Sequence, residues 1–144
     1  ELRMSRIYAG SIALCVLFPP YCASEAMADE QALRNYLSGR HVLISRRDGE
    51  AVYGTYYFFY THYCSSGRYV IYASSVKQSV LGGENRQRWE VRGTWKVVTQ
   101  KGQEGVFYQD TDGGTDFLPL RMRPDGSVFV RDGINFAPQG RAEC

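Results

Sequence analysis

The feature that most constrains the fold is the regular alternation, from Gly39 onward, of β-forming runs with glycine-containing turns. The turns include Asp48-Gly49, Ser66-Gly67, Lys101-Gly102 and Asp125-Gly126. Glycine accepts the positive φ that tight hairpin turns require. About eight strands joined by such turns predict an antiparallel meander, and therefore a mainly β fold.

Two further glycines, Gly54 and Gly93, interrupt runs that otherwise have the composition of continuous strands. A glycine inside a strand is typical of a bulge or a sharp bend, and such bends curl a sheet towards closure. The meander is therefore predicted to form a barrel or a strongly curled sheet, with both glycines at strand bends.

One short helix is predicted ahead of the strands, in the segment DEQALRNYLS over residues 29–38. Ala32, Leu33, Tyr36 and Leu37 share one face at helical spacing, and Gly39 follows the end of the segment. This apolar face is expected to cover one face of the sheet or to plug one end of it.

The stretch TYYFFYTHY carries aromatic residues on both faces of one predicted strand, because alternate residues of a strand point to opposite sides. The two sets are Tyr56, Phe58 and Tyr60, and Tyr57, Phe59 and Tyr63. Alternation separates the sets but does not decide which one faces the interior, because both are apolar.

We predict that the first set faces the interior, together with the tryptophans of the alternating strand RWEVRGTWKV. The predicted ligand-binding residues are Tyr56, Phe58, Tyr60, Trp89, Trp95 and Tyr108. The second set, Tyr57, Phe59 and Tyr63, is predicted to meet the helix or to form an interaction face for a protein partner.

The first 28 residues have the pattern of an export signal. A start methionine and an arginine precede an apolar run from Ile7 to Phe18, and Ala26 and Ala28 form an A-x-A cleavage site before Asp29. Residues 1–28 are thus predicted to be a tag remnant and a cleaved signal peptide, and residues 29–144 a single barrel-like domain, periplasmic or secreted by a bacterium. The apolar run is shorter than the roughly 20 residues of a spanning helix, so no stable membrane insertion is expected after cleavage.

Cleavage would leave two of the cysteines, Cys64 and Cys144, in a compartment where thiols oxidise. We therefore predict one disulfide bond between them, which would also hold the C-terminal tail. The alternative is two free thiols, one of them at the chain end.

Sequence patterns argue against an enzyme, a metal site and nucleic-acid binding. The two histidines, His41 and His62, lack metal-ligand spacing, and the DTDGGTD segment is predicted to be a hairpin turn and not a calcium loop. The Ser74-x-x-Lys77 spacing of serine acylases stands without the other motifs of those enzymes. The formal net charge of +2 is too small and too dispersed for a nucleic-acid partner. We expect no enzymatic activity and no cofactor.

The short helix leading into Leu37-Ser38-Gly39, the Gly93-Thr94-Trp95 strand and the glycine-turned meander resemble the lipocalin-like (calycin-type) group of small barrels. The layout is also similar to uncharacterised small exported bacterial proteins that open with Leu-x-Gly and carry a Gly-x-Trp strand. In lipocalins the Gly-x-Trp motif is on the first strand, whereas here it lies about halfway along the chain. The resemblance implies a small β-barrel.

The aromatic interior has three interpretations. It can be a filled core, because a small β domain needs large aromatic residues to bury enough apolar area. It can hold a small apolar or aromatic ligand, as barrels of about eight strands do. The third interpretation is a protein–protein interaction module, such as an inhibitor of a secreted hydrolase or a cell-envelope assembly partner. We favour the exported, non-enzymatic ligand-binding module.

Overall fold

A computed structural model describes residues 29–49, 54–79 and 81–144 of the chain. The tag remnant and signal peptide predicted for residues 1–28 lie outside the described residues. Helix α1 covers residues 29–37. The strands that follow are β1 (Arg40–Asp48), β2 (Thr55–Tyr63), β3 (Arg68–Gln78), β4 (Glu84–Gln100), β5 (Gln103–Asp110), β6 (Thr115–Met122), β7 (Val128–Val130) and β8 (Ile134–Arg141).

The strands form one antiparallel sheet in the order β7-β6-β5-β4-β3-β2-β1-β8. Each strand from β1 to β6 pairs with the next along the chain, and β8 returns to pair with β1. The two edge strands, β7 and β8, approach each other, so the sheet is a nearly closed barrel. The predicted antiparallel meander of about eight strands with one short N-terminal helix is confirmed.

The turn glycines behave as the sequence predicts. Gly49, Gly67, Gly102 and Gly126 all have positive φ, between 75° and 90°. Each of them lies in the short connection between two neighbouring antiparallel strands. The local turn signals therefore account for the alternating strand directions of the meander.

Strand β4 has 17 residues and changes its partner at Gly93. It pairs with β3 up to Thr94 and with β5 from Gly93 onward. A Cβ atom on Gly93 would lie 2.0 Å from the carbonyl oxygen of Gln109, so glycine is required for the close approach of β5 and not for a positive φ. Gly54 lies immediately before β2 and does not interrupt it.

Helix α1 covers one end of the barrel, which we call the closed end. Leu33 and Leu37 are fully buried there, in a cluster with Trp95 and Leu120. Ala32, predicted on the same helix face, is exposed. The opposite end, which we call the open end, is bordered by the last residues of β1, β3, β5 and β7.

Candidate ligand-binding cavity

The strand register decides which residues face the barrel interior. Ile44, a buried residue of β1, pairs with Phe59 of β2. Phe59 pairs with Ala73 of β3, and Ala73 pairs with Trp89 of β4. Directly paired residues point to the same side of a sheet. Phe59 and Trp89 therefore lie on the interior side with Ile44.

The structure reverses the predicted orientation of the two aromatic sets of β2. The residues on the interior side are Tyr57, Phe59 and Tyr63, together with Trp89, Trp95 and Tyr108. The residues on the outer side are Tyr56, Phe58 and Tyr60. Both sets are apolar, so only the pairing of β2 with the buried face of β1 distinguishes them.

The closed end forms a dense floor under the interior. The hydroxyl oxygens of Tyr63 and Tyr108 lie 2.5 Å apart, within hydrogen-bonding distance. The indole nitrogen of Trp95 donates to the carbonyl oxygen of Cys64 at 3.0 Å. Burial raises the pKa of the Tyr63 and Tyr108 hydroxyls above the usual tyrosine value. Both hydroxyls therefore stay protonated and keep their mutual hydrogen bond.

The C-terminal tail is tied to the same end of the barrel. The sulfur atoms of Cys64 and Cys144 lie 2.08 Å apart, as the predicted disulfide requires. The backbone N–H of Glu143 donates to Nδ1 of His62 at 3.1 Å. His62 in turn stacks on His41, with 4.0 Å between the ring centroids.

Between this floor and the open end the barrel contains a cavity of about 310 Å³. The apolar residues of its wall are Ile44, Phe59, Ile71, Val91, Leu118 and Ile134. Each of them comes from a different strand, so the cavity belongs to the barrel as a whole. Its volume lies at the lower end of the range found for sites that hold small organic molecules.

Charged groups line the cavity at the open end. They are Arg46 near the end of β1, Asp110 at the end of β5 and Asp116 near the start of β6. Oδ1 of Asp110 accepts hydrogen bonds from the backbone N–H groups of Asp112 at 2.9 Å and Gly114 at 2.7 Å. These bonds hold the β5–β6 turn, so DTDGGTD forms a hairpin turn, as its sequence predicts.

Tyr69 brings a hydroxyl group to the cavity from β3. Its side chain is 4% exposed, lines the cavity and meets the Tyr108 ring edge to face, with 5.2 Å between centroids. Burial, followed by the negative charges of Asp110 and Asp116, raises the pKa of Tyr69. The hydroxyl is therefore protonated at neutral pH and can both donate and accept a hydrogen bond.

The residues predicted to bind a ligand do not come together as one group. Tyr108 lines the cavity, whereas Trp95 is 3% exposed and belongs to the floor. Trp89 is 39% exposed and makes an edge contact with Phe59 at 6.5 Å between centroids. The outer set of β2 has no part in the cavity.

Sequence reasoning missed the apolar wall residues, such as Ile71 and Leu118, and the hydroxyl of Tyr69. The β3 segment RYVIYAS has apolar or aromatic residues on both faces, so neither face stands out as the inner one. Tyr69 joins Trp95 and Tyr108 on the interior side only through pairing between strands. No local pattern contains that information.

Aromatic residues are also exposed on the outer surface of β2 and β3. Phe58, Tyr60 and Tyr72 lie there, and we call them the outer aromatic patch. Tyr60 is 39% exposed and Tyr72 is 45% exposed. Arg86 and Arg88 of β4 border the same shallow groove.

The architecture is an eight-stranded, antiparallel, nearly closed β-barrel with an apolar cavity, and it is compatible with a lipocalin-like fold. No protein-family model, curated protein or solved structure matches this chain. Within the part of the chain that the structure describes, no helix is long and apolar enough to cross a membrane.

Proposed function

We propose that this protein is an exported, non-enzymatic binding module that holds a small apolar or aromatic ligand inside a lipocalin-like barrel. The observation that carries the proposal is the apolar cavity of about 310 Å³. Filled protein interiors contain few voids larger than a water molecule. The cavity therefore favours a ligand site over a core that serves stability alone.

Two features support export to the periplasm or the outside of a bacterial cell. Residues 1–28 have the pattern of a cleaved signal peptide. The disulfide pair of Cys64 and Cys144 supports the same location, because disulfides persist mainly in oxidising compartments. The similarity to small exported bacterial proteins with Leu-x-Gly and Gly-x-Trp segments is consistent with it.

A binding role without catalysis is supported by the position of the one motif with a catalytic spacing. Ser74 and Lys77 both lie within β3. Residues three positions apart on a strand point to opposite faces, so this serine and this lysine cannot act as nucleophile and base on a shared substrate.

The test is a titration with a neutral fluorescent probe, N-phenyl-1-naphthylamine. We expect one saturable site and quenching of tryptophan emission. Val91→Phe should weaken binding at least tenfold, because Val91 lines the cavity and the larger ring would fill it. The matched control is Val76→Phe, because Val76 borders the groove of the outer aromatic patch. Weakening by Val76→Phe alone would place the probe outside the barrel and overturn the proposal.

The exposure of Tyr60 and Tyr72 favours a second candidate function, a protein–protein interaction module such as an inhibitor of a secreted hydrolase or a cell-envelope assembly partner. Exposed aromatic side chains are typical of interface hot spots. Replacing both tyrosines with serine should abolish self-association, measured by sedimentation velocity, while the fold is retained. A wild-type protein that is monomeric at every concentration would remove self-association as the role of this patch.

A further inference from the structure

The open end of the cavity carries two carboxylates without a cationic partner in the described residues. Asp110 and Asp116 both line the cavity. The ion pairs in residues 29–49, 54–79 and 81–144 join three arginines to Asp48, Glu84 and Glu90. Neither cavity aspartate takes part in them.

The positive group that lines the same cavity is already engaged within the chain. A guanidinium nitrogen of Arg46 lies 3.8 Å from a carboxylate oxygen of Asp48. The guanidinium also lies over the rings of Tyr57 and Phe59, at 5.1 and 5.9 Å from their centroids. Asp48 and the two rings thus partly offset the charge of Arg46, and the charged groups that line the cavity, one arginine against two aspartates, have a negative formal sum.

Each aspartate keeps one oxygen for a ligand. The Oδ1 atom of Asp110 holds the turn through Asp112 and Gly114. The Oδ1 atom of Asp116 accepts the backbone N–H of Phe117 at 2.8 Å. The Oδ2 atoms make no hydrogen bond to a described residue, so each can accept one from a donor in the cavity.

The hydroxyl of Tyr69 is a further polar group that a ligand in the cavity can reach. This side chain is 96% buried, since it is 4% exposed. It lines the cavity, and its hydroxyl makes no hydrogen bond within the described part of the chain. Its oxygen is not one of the fully enclosed, unpaired side-chain atoms of the described residues, which are Nε2 of His41 and Oε1 of Glu104. The hydroxyl therefore opens onto the cavity, where it can bond to water or to a polar group of a ligand. The charges of Asp110 and Asp116 act on this hydroxyl, because both raise its pKa.

The aromatic residues of the cavity wall favour the same sign of charge. Phe59, Tyr69 and Tyr108 line the cavity, and the face of an aromatic ring attracts a cation through its quadrupole. An anionic group would be repelled by both carboxylates. A cationic group would be attracted by the carboxylates and by the rings.

We propose that the cavity binds an apolar molecule that carries a protonated amine. The amine lies at the open end beside Asp110 and Asp116, towards the hydroxyl of Tyr69. The hydrocarbon part lies along the apolar wall that includes Ile71 and Val91. This inference rests on the proposed ligand-binding function and names the chemical class of the ligand.

Three ligands of equal length test the charge preference on the whole disulfide-bonded protein at pH 7: 1-octylamine, 1-octanol and octanoate. The amine is protonated at this pH, as a lysine side chain is. We expect 1-octylamine to bind on the order of tenfold more tightly than 1-octanol, from one charge-assisted hydrogen bond, and octanoate to bind most weakly. Binding of 1-octanol without an advantage for the amine would overturn this inference and leave the proposed function intact. Absence of binding by all three would overturn both.

A double variant tests the two carboxylates directly. Asp110→Asn with Asp116→Asn keeps an oxygen that can accept the backbone N–H groups of the turn and removes both charges. The advantage of 1-octylamine over 1-octanol should fall to within about twofold, while the affinity for 1-octanol is unchanged. Asp125→Asn is the matched control, because Asp125 also accepts a backbone N–H, from Ser127 at 2.9 Å, but lies outside the cavity. An amine preference that survives in the folded double variant would show the proposal to be wrong.

Discussion

The closed and open ends of the barrel differ in how completely their side chains are satisfied by the chain itself. At the closed end, Leu33 and Leu37 are fully buried, and the hydroxyls of Tyr63 and Tyr108 bond to each other. Between this floor and the open end, apolar walls and the hydroxyl of Tyr69 face the cavity. Stability is therefore concentrated at one end, which leaves the other end free to present unsatisfied groups to a ligand.

The largest expected effect comes from removing the bond that ties the tail to the closed end. Cys64→Ser combined with Cys144→Ser should lower the free energy of unfolding by roughly 4 kcal/mol, because the bond closes a loop with a sequence separation of 80 residues. Urea unfolding measures the loss. The affinity of the folded fraction for a cavity ligand should not change, because neither cysteine lines the cavity. If both thiols of the native protein react with an alkylating reagent without reductant, the bond does not form.

A pair of leucine substitutions compares the two ends directly. Leu37→Ala should lower the free energy of unfolding by about 3 kcal/mol, because it opens a void in a fully buried position. Leu118→Ala should cost about 1 kcal/mol, because Leu118 already borders a cavity and loses fewer contacts. Thermal or urea unfolding of both variants gives the two values. Equal losses would mean that the two ends are equally well packed.

The fold could be predicted from the sequence because its signals are local, whereas the site depends on contacts between distant residues. The turns at Gly67 and Gly102 each require only a few neighbouring residues. The orientation of β2 depends on the pairing of Phe59 with Ile44, and TYYFFYTHY alone permits both orientations. The cavity exists because side chains from several strands, such as Leu118 of β6, together do not fill the barrel interior. Their summed volume can be compared with the interior only once the strands are paired.

Gly93 lies where β4 stops pairing with β3 and begins to pair with β5. A substitution there tests how closely β5 approaches β4. Gly93→Val should lower the free energy of unfolding by about 2 kcal/mol or more, because a Cβ atom would lie 2.0 Å from the backbone oxygen of Gln109. The neighbouring control, Thr94→Val, changes an exposed side chain and should stay within about 0.5 kcal/mol. A melting temperature unchanged by Gly93→Val would show that β5 does not approach β4 as closely as described.

Removing single hydroxyls distinguishes a satisfied tyrosine from an unsatisfied one. Tyr63→Phe should cost about 1.5 kcal/mol, because it leaves the buried hydroxyl of Tyr108 without its partner. Tyr69→Phe should cost less than about 0.5 kcal/mol, because no hydrogen bond to a described residue is lost. Chemical unfolding of the ligand-free variants measures both values. A larger loss for Tyr69→Phe would mean that its hydroxyl is already satisfied within the chain.

The smallest expected effect is an acid sensitivity confined to the closed end, where both His41 and His62 lie. Burial and then the neighbouring His41 lower the pKa of His62, against the opposing charge of Glu143. Between about pH 7.5 and 5.5 the unfolded chain therefore binds more protons than the folded one, and stability decreases as the pH falls below the ordinary histidine value of about 6.5. Protonation of Nδ1 would also remove the acceptor for the backbone N–H of Glu143.

Urea unfolding at pH 7.5 and 5.5 should show this loss of stability in the wild type and a smaller loss in His62→Asn. The asparagine keeps an acceptor oxygen but does not titrate. An identical loss in this variant would assign the acid sensitivity to another group.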